Sequence, residues 1–258
     1  MPELDIVGFI PKSVSDWRGK VSSIVFVPGC NFSCGYCFSH QLILHANSLP
    51  KIPLSEVFDF LSDKKNGIQA VVVTGGEPTL HGNRLLRFLE EAQSLGLMTR
   101  LETNGSNPFM VRAMLENDLI DSVVLDLKAP LYPQKYLDAT GKTAVLSKIK
   151  RSIFMVMKAG VDYEIRMVVI PGKTLLRDIQ SVARSVQGAK RFVLHAFTPF
   201  SGTLDKSFES IAPTSYDELI EMAQKISGVQ EVRIKTARGE ETVNPMQQLQ
   251  QSIPRKEA

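Results

Sequence analysis

Gln69-Ala-Val-Val-Val-Thr74, followed at once by Gly75-Gly76, is the stretch on which the fold turns. A run of β-branched apolar residues with nothing polar to face water reads as a fully buried strand, and the glycine pair marks where it stops. Five further runs repeat the pattern: Val21–Val27 ending at Pro28-Gly29, Leu97–Glu102 ahead of Thr103-Asn104-Gly105, Ser122–Leu127 leading into Lys128, Tyr163–Ile170 ending at Pro171-Gly172, and Lys190–Phe197 ending at Thr198-Pro199. Helical periodicity fills the intervals. Leu86, Leu89, Ala92 and Leu95 recur at 3.6-residue spacing before a capping Gly96, and Ser215-Tyr-Asp-Glu218 is a capping box ahead of Leu219, Ile220, Ala223 and Ile226. Weaker helical patterns cover 54–64, 108–117, 143–159 and 174–186. Strands alternating with helices pair in parallel through right-handed crossovers. The expectation is an α/β fold, an incomplete (β/α)6 TIM-like barrel of parallel strands, with residues 229–235 as a short extra edge strand and ligands at the C-terminal strand ends.

A chain of 258 residues, 43% apolar and 22% charged, suits one domain of this kind better than two small ones. The pattern predicts a single domain over residues 1–238. The Glu-, Gln- and Lys-rich residues 239–258 read as a disordered tail. A net charge of +3, evenly spread, argues for neither nucleic acid nor membrane as a partner. No apolar run is long enough to span a bilayer, the first residues lack a signal-peptide pattern, and the cysteines are no disulfide framework, so a cytoplasmic location is expected.

All three cysteines, Cys30, Cys34 and Cys37, lie in one loop directly after the first strand. Three clustered thiolates suit a metal centre one ligand short of closure, and an open coordination position is where chemistry occurs. Two groups fit the spacing. A [4Fe–4S] cluster with one iron free of protein ligands is one; zinc on a Cys3His set completed by His40 is the other.

The loop resembles the C-x3-C-x2-C signature of radical S-adenosylmethionine (SAM) enzymes, with the aromatic Tyr36 before its last cysteine. Thr74-Gly-Gly-Glu-Pro78 looks like that superfamily's GGEP motif. Glu102-Thr-Asn-Gly105, Leu125-Asp-Leu-Lys128 and Arg166-x3-Ile170-Pro-Gly172 match, in order, motifs of the glycyl-radical-enzyme activases. The lead-in from Gly8 through Ser13 and Asp16 to Gly19-Lys20 is similar to the anaerobic ribonucleoside-triphosphate reductase activating proteins. The resemblance covers residues 8 to about 205.

It implies an oxidoreductase of anaerobic metabolism with two cofactors, a [4Fe–4S] cluster on Cys30, Cys34 and Cys37, and SAM chelating the open iron. Reductive cleavage would give methionine and a 5′-deoxyadenosyl radical, which takes a hydrogen atom from a glycine of a partner such as anaerobic ribonucleotide reductase. The electron donor would be of flavodoxin or ferredoxin type. Around SAM the resemblance sets Tyr36, the backbones of Gly75 and Gly76, Glu77 as acceptor for the methionine ammonium, Thr103, Asn104, Asp126, Lys128 on the carboxylate, Arg166 towards the ribose or carboxylate, and His195. Duller readings stand beside these: a strand-to-helix turn at Gly75-Gly76, an exposed Asp126–Lys128 pair, Arg166 bridged to Glu164 or Glu102, and His195 as a core histidine. Gly35, Phe38-Ser39 and His195 depart from the activases, which carry a proline, a His-Asn pair and, in the reductase-activating subgroup, a glutamine. The alternative is a radical SAM enzyme acting on a small molecule, similar to the carboxydeazaguanine synthases.

Overall fold

The computed structural model describes residues 3–243. One nine-stranded sheet runs in sequence order: β1 (Gly8–Ser13), β2 (Ser22–Val27), β3 (Ala70–Gly75), β4 (Met98–Thr103), β5 (Ser122–Asp126), β6 (Asp162–Val169), β7 (Arg191–Ala196), β8 (Glu231–Thr236) and β9 (Gly239–Val243). Strands β2 to β8 pair in parallel, whereas β1 and β9 add antiparallel edges. The crossovers carry helices α1 (Gln41–Leu44), α2 (Leu54–Ser62), α3 (Asn83–Ser94), α4 (Pro108–Glu116), α5 (Pro133–Thr140), α6 (Leu146–Lys158), α7 (Leu176–Ser185) and α8 (Tyr216–Gln224).

Side chains alternate across a strand, so each strand contributes one set to either face. Val25, Val71, Val73, Leu101, Val123, Leu125, Ile165, Phe192 and Leu194 point outward and are buried with Phe88, Leu89, Ile149, Ile153, Ile179 and Val182 of the helices in one apolar core. The inner face is different. Ile24, Ala70 and Val72 pack with Trp17 in a small separate cluster, while Arg100, Glu102, Glu164 and Arg166 share the remaining inner rows. Contacts across strands show the curl of the sheet: Arg100 of β4 pairs with Glu164 of β6 at 2.8 Å, both almost wholly buried, and Arg100 also lies under the Trp17 ring, 5.6 Å from its centre. At the open side, Asp16 in the loop after β1 comes within 3.9 Å of Lys235 on β8.

The six expected strands are β2 to β7, and the expected edge strand is β8. Four elements differ from expectation, the first being the short helix α1, which falls where no helix was expected. The lead-in forms β1, whose Pro11 is tolerated because an edge strand leaves donors unpaired. Residues 133–140 form α5, which shows no long apolar stripe. Gly239–Val243, expected to begin a disordered tail, form β9: Arg233 draws in Glu240 at 2.8 Å and Val243 is buried. The ordered domain therefore extends past residue 238, and residues 244–258 of the expected tail lie outside the described residues.

Candidate active site

At the C-terminal ends of the strands the pairing of β2 with β3 continues beyond the strands themselves. The Gly76 N–H donates to the Val27 carbonyl at 2.9 Å and the Glu77 N–H donates to the Gly29 carbonyl at 2.8 Å. The two chains run so close that a Cβ on Gly76 would stand 1.8 Å from the Gly29 oxygen, and Gly75 holds φ at +121°. Only glycine meets both conditions. The cysteine loop is thus anchored, through Gly29, to the glycine pair that ends β3.

Glu77 is buried and accepts four hydrogen bonds. Its Oε1 takes the Thr79 hydroxyl, the Thr79 N–H at 3.2 Å and the Thr103 hydroxyl at 2.6 Å, and its Oε2 takes the Asn104 N–H at 2.7 Å. Burial pushes its carboxyl up, against the pull of these donors. The carboxylate ties the end of β3 to the end of β4 and keeps one lone pair of Oε2 for anything else. Asn104 extends the tie: its Nδ2 donates to Asn31 Oδ1 at 3.0 Å and stands 4.0 Å from the Cys30 sulfur, while Asn31 Nδ2 donates to the Ser106 hydroxyl at 2.8 Å. Asn31 was not picked from the sequence; its signal was a polar amide immediately after a cysteine.

Burial pushes the Cys30 thiol up to about 11 and raises Cys34 and Cys37 as well, while Lys128 acts the other way on all three. Bound iron would supply the charge that turns such thiols into thiolates. The three cysteines line one end of a cavity of about 480 Å³ with Phe32 and Tyr36 as apolar cover, and three ligands with no fourth fit a cluster that leaves one iron open. The zinc set fits less well, because His40 is absent from the cavity lining and its Nε2 is bonded to Gln41 at 2.9 Å.

On the opposite wall stands a charged ladder. Arg166 donates from Nε to Asp126 Oδ1 at 2.7 Å and from a terminal nitrogen to Glu102 Oε1 at 3.0 Å. The Thr74 hydroxyl donates to the other oxygen of Glu102 at 2.9 Å, and Lys128 Nζ stands 3.4 Å from Asp126. Burial works to raise the Asp126 carboxyl, but Arg166 and Lys128 outweigh it and hold it well below the usual carboxylate range. For Lys128 burial works downward and Asp126 reverses it, so the ammonium stays charged. Burial, with Arg166 and Lys235, drives His195 down to about 4, so its imidazole is neutral at pH 7.

All thirteen residues selected from the sequence, from Cys30 to His195, line this one cavity. The Asp126–Lys128 pair is largely buried rather than exposed, and Arg166 bridges Glu102, while Glu164 goes to Arg100. The cavity also reaches residues not selected, Ile10, Asp16, Phe26 and Lys235 among them.

A family model for the radical SAM superfamily matches residues 24–186, more than half of the chain and every strand from β2 to β6. The chain belongs to the radical SAM superfamily. This radical SAM protein is 26% identical over 222 residues to a protein of Methanocaldococcus jannaschii named, itself by inference, a glycyl-radical enzyme activating enzyme; the match covers 85% of this chain and 90% of that one. It is also 24% identical over 226 residues to the 7-carboxy-7-deazaguanine synthase of Thermococcus kodakarensis, covering 76% and 86% of the two chains. Among solved structures, Streptococcus suis SuiB bound to its precursor peptide SuiA superposes with a TM-score of 0.60 at 18% identity, over 77% of this chain and 43% of that one. At that identity the likeness speaks for the fold, a partial TIM barrel. Membership of the superfamily carries the two cofactors, a [4Fe–4S] cluster and SAM.

Proposed function

We propose that this protein is a glycyl-radical-enzyme activase, removing a hydrogen atom from a backbone glycine of a partner enzyme that then keeps the radical. When bound, the cluster supplies the single electron that splits SAM into methionine and a 5′-deoxyadenosyl radical. Cys30, Cys34 and Cys37 would hold it, and Asn104, bonded to Asn31, would steady the first of these ligands. Lys128, with one of its three donors turned to Asp126, keeps the others for the SAM carboxylate. The backbones of Gly75 and Gly76 offer close approach to the methionine end, with Thr103 and the one remaining lone pair of Glu77 beside them. Arg166 serves Asp126 and Glu102 first, so its part is to hold the ladder in place. His195, neutral, orients by hydrogen bonding rather than by charge, and Tyr36 shields the cysteine loop from water.

The observation that carries this reading is the mouth of the cavity. Phe38, itself a lining residue, is 60% exposed, and Phe200, next to the lining residue Ser201, is 82% exposed. Large aromatics left in water at the rim of a site suit a protein surface rather than a small molecule that the site would enclose. All three cysteines serve this one cavity, which leaves none in the chain for an auxiliary cluster. The test is to reconstitute the protein anaerobically with iron, sulfide, SAM and reductant and add candidate glycyl radical enzymes, starting with any encoded beside it. A glycyl radical doublet in the EPR spectrum of the partner is expected. Formation of 5′-deoxyadenosine with no protein radical in any partner, accompanied by turnover of a small molecule, would favour instead the second reading, for which the likeness to the 7-carboxy-7-deazaguanine synthase speaks.

A further inference from the structure

Gly35, where the activases carry proline, does not line the cavity, and its neighbours explain it. The Cys37 N–H donates to the Cys34 carbonyl at 3.0 Å, so Gly35 and Tyr36 are the central residues of the turn that sets the spacing of these two cysteines. The φ of Gly35 is not positive, so the turn itself does not demand glycine. The space around it does. A Cβ on Gly35 would stand 2.6 Å from the Phe208 ring and 3.3 Å from the Asp205 Cβ. The Asp205 N–H also donates to the Gly35 carbonyl at 2.9 Å.

Phe208 and Asp205 belong to one segment that leaves the barrel after β7 and returns to its own base. The Thr214 N–H donates to the Phe197 carbonyl at 3.0 Å and the Phe197 N–H to the Thr214 hydroxyl oxygen at 3.0 Å, which closes residues 198–213 into a loop. Within it a short 3-10 helix, Lys206–Ser210, presents Phe208 to the cysteine loop. The ring is boxed in by the Tyr36 ring at 6.2 Å, the Phe197 ring at 6.4 Å and the Lys173 ammonium, 4.7 Å above its face. The segment touches the loop again beyond Cys37, where a Cβ on Gly202 would stand 3.1 Å from the His40 ring. Phe208 belongs to neither apolar core cluster of the barrel, so its packing serves the loop. A loop of three ligands gives up freedom when a group binds across them, and a clamp removes that cost in advance. Resting on the assignment of Cys34 and Cys37 as ligands, we infer that Phe208 is a positioning residue for the cysteine loop. Seated in the notch left by Gly35, it holds the Cys34–Cys37 turn in its ligating shape before any iron is bound. The same clamp holds Phe38 of the loop and Phe200 of the segment, the exposed aromatics at the cavity mouth, to one another.

The experiment follows amide hydrogen exchange by mass spectrometry in the iron-free full chain, with iron uptake on anaerobic reconstitution as a second readout. Phe208→Ala is expected to speed exchange over residues 29–40 about tenfold, the scale on which a lost aromatic contact shifts a local opening. Iron taken up at limiting supply should fall with the fraction of closed loop. Phe208→Leu, which refills the notch, should bring exchange back to within about twofold of the unsubstituted chain. Gly35→Ala should loosen the same peptide. Its combination with Phe208→Ala should be no worse than the worse single change, because both remove one contact. Leu101→Ala, a change in the outer core, should leave exchange over 29–40 unchanged, because the loop opens without disturbing that core. Unchanged exchange over 29–40 in Phe208→Ala, an equal acceleration there in Leu101→Ala, or effects of Gly35→Ala and Phe208→Ala that multiply would each overturn the inference. Full iron retention in Cys34→Ser, with the exchange results as expected, would instead sink the ligand assignment on which it rests.

Discussion

The two faces of the same sheet obey opposite rules. Outside, Val71, Leu101, Val123 and Phe192 are wholly buried against helices with only apolar neighbours. Inside, Arg100, Glu164 and Arg166 are almost as deeply buried and Glu102 is partly so, yet they are charged and paired across strands. A buried ion pair contributes little net stability compared with apolar residues of the same volume, because desolvation offsets the attraction. What the inner rows gain is placement: a fixed ladder of charge leading up to Asp126 and Lys128. The outer face holds the barrel together, and the inner face orients a ligand.

The largest effect should come from the end of the inner face. Cys34→Ser removes a ligand from the loop, so iron and the brown chromophore should be lost after anaerobic reconstitution while the circular dichroism of the sheet and helices stays unchanged, since the outer core does not depend on the loop. Arg100→Ala should follow. It leaves Glu164 buried without its cation, costing about 3–5 kcal/mol in denaturant melts, whereas Arg100→Met with Glu164→Leu should be neutral or stabilising. If the double variant is as damaged as the single one, the ladder contributes to stability after all. On the outer face, Leu101→Ala should cost about 2–5 kcal/mol through the cavity it leaves, with iron content per folded chain retained. Equal loss of iron would break the division between the faces. Gly76→Ala tests the seam between them. Its new methyl meets the Gly29 carbonyl, so about 1–3 kcal/mol of overpacking is expected, and iron content should fall more than stability does.

The smallest effect concerns His195. Below pH 6.5 the unfolded chain takes up a proton there that the folded chain refuses until about pH 4, so folded stability falls as pH drops through that window. His195→Gln should flatten this slope between pH 6.5 and 4 in urea melts, and an unchanged slope would show that the imidazole is not buried as described.

Much of this was legible in the chain itself. Strands such as β3 announce themselves by runs like Ala70-Val-Val-Val-Thr74, because their outer face packs on helices and their inner face is apolar too. By contrast, β4 and β6 carry charges on the inner face and were read from their ends and spacing. The cysteine spacing and the glycine pair likewise read directly, since each motif closes within a few residues of the strand that presents it. β1 and β9 were not legible. An edge strand needs only half a ladder, so Pro11 and Glu240-Glu241 break no rule there, and Glu240 is held by Arg233, a residue on the neighbouring strand. The partnerships within the site were equally hidden. Sequence put Glu77, Arg166 and Asp126 at strand ends but not in their bonds, because Glu77 is met by Thr103 and Asn104 of another strand and Arg166 reaches across β5 to Glu102. Nor could sequence bring Asp16 to Lys235 across the open side of the barrel. Local spacing determined the strands, the cysteine loop and the class of chemistry, because those depend on neighbours a few residues apart. The curl of the sheet alone decided which charges meet, and so which of them remain available to a ligand.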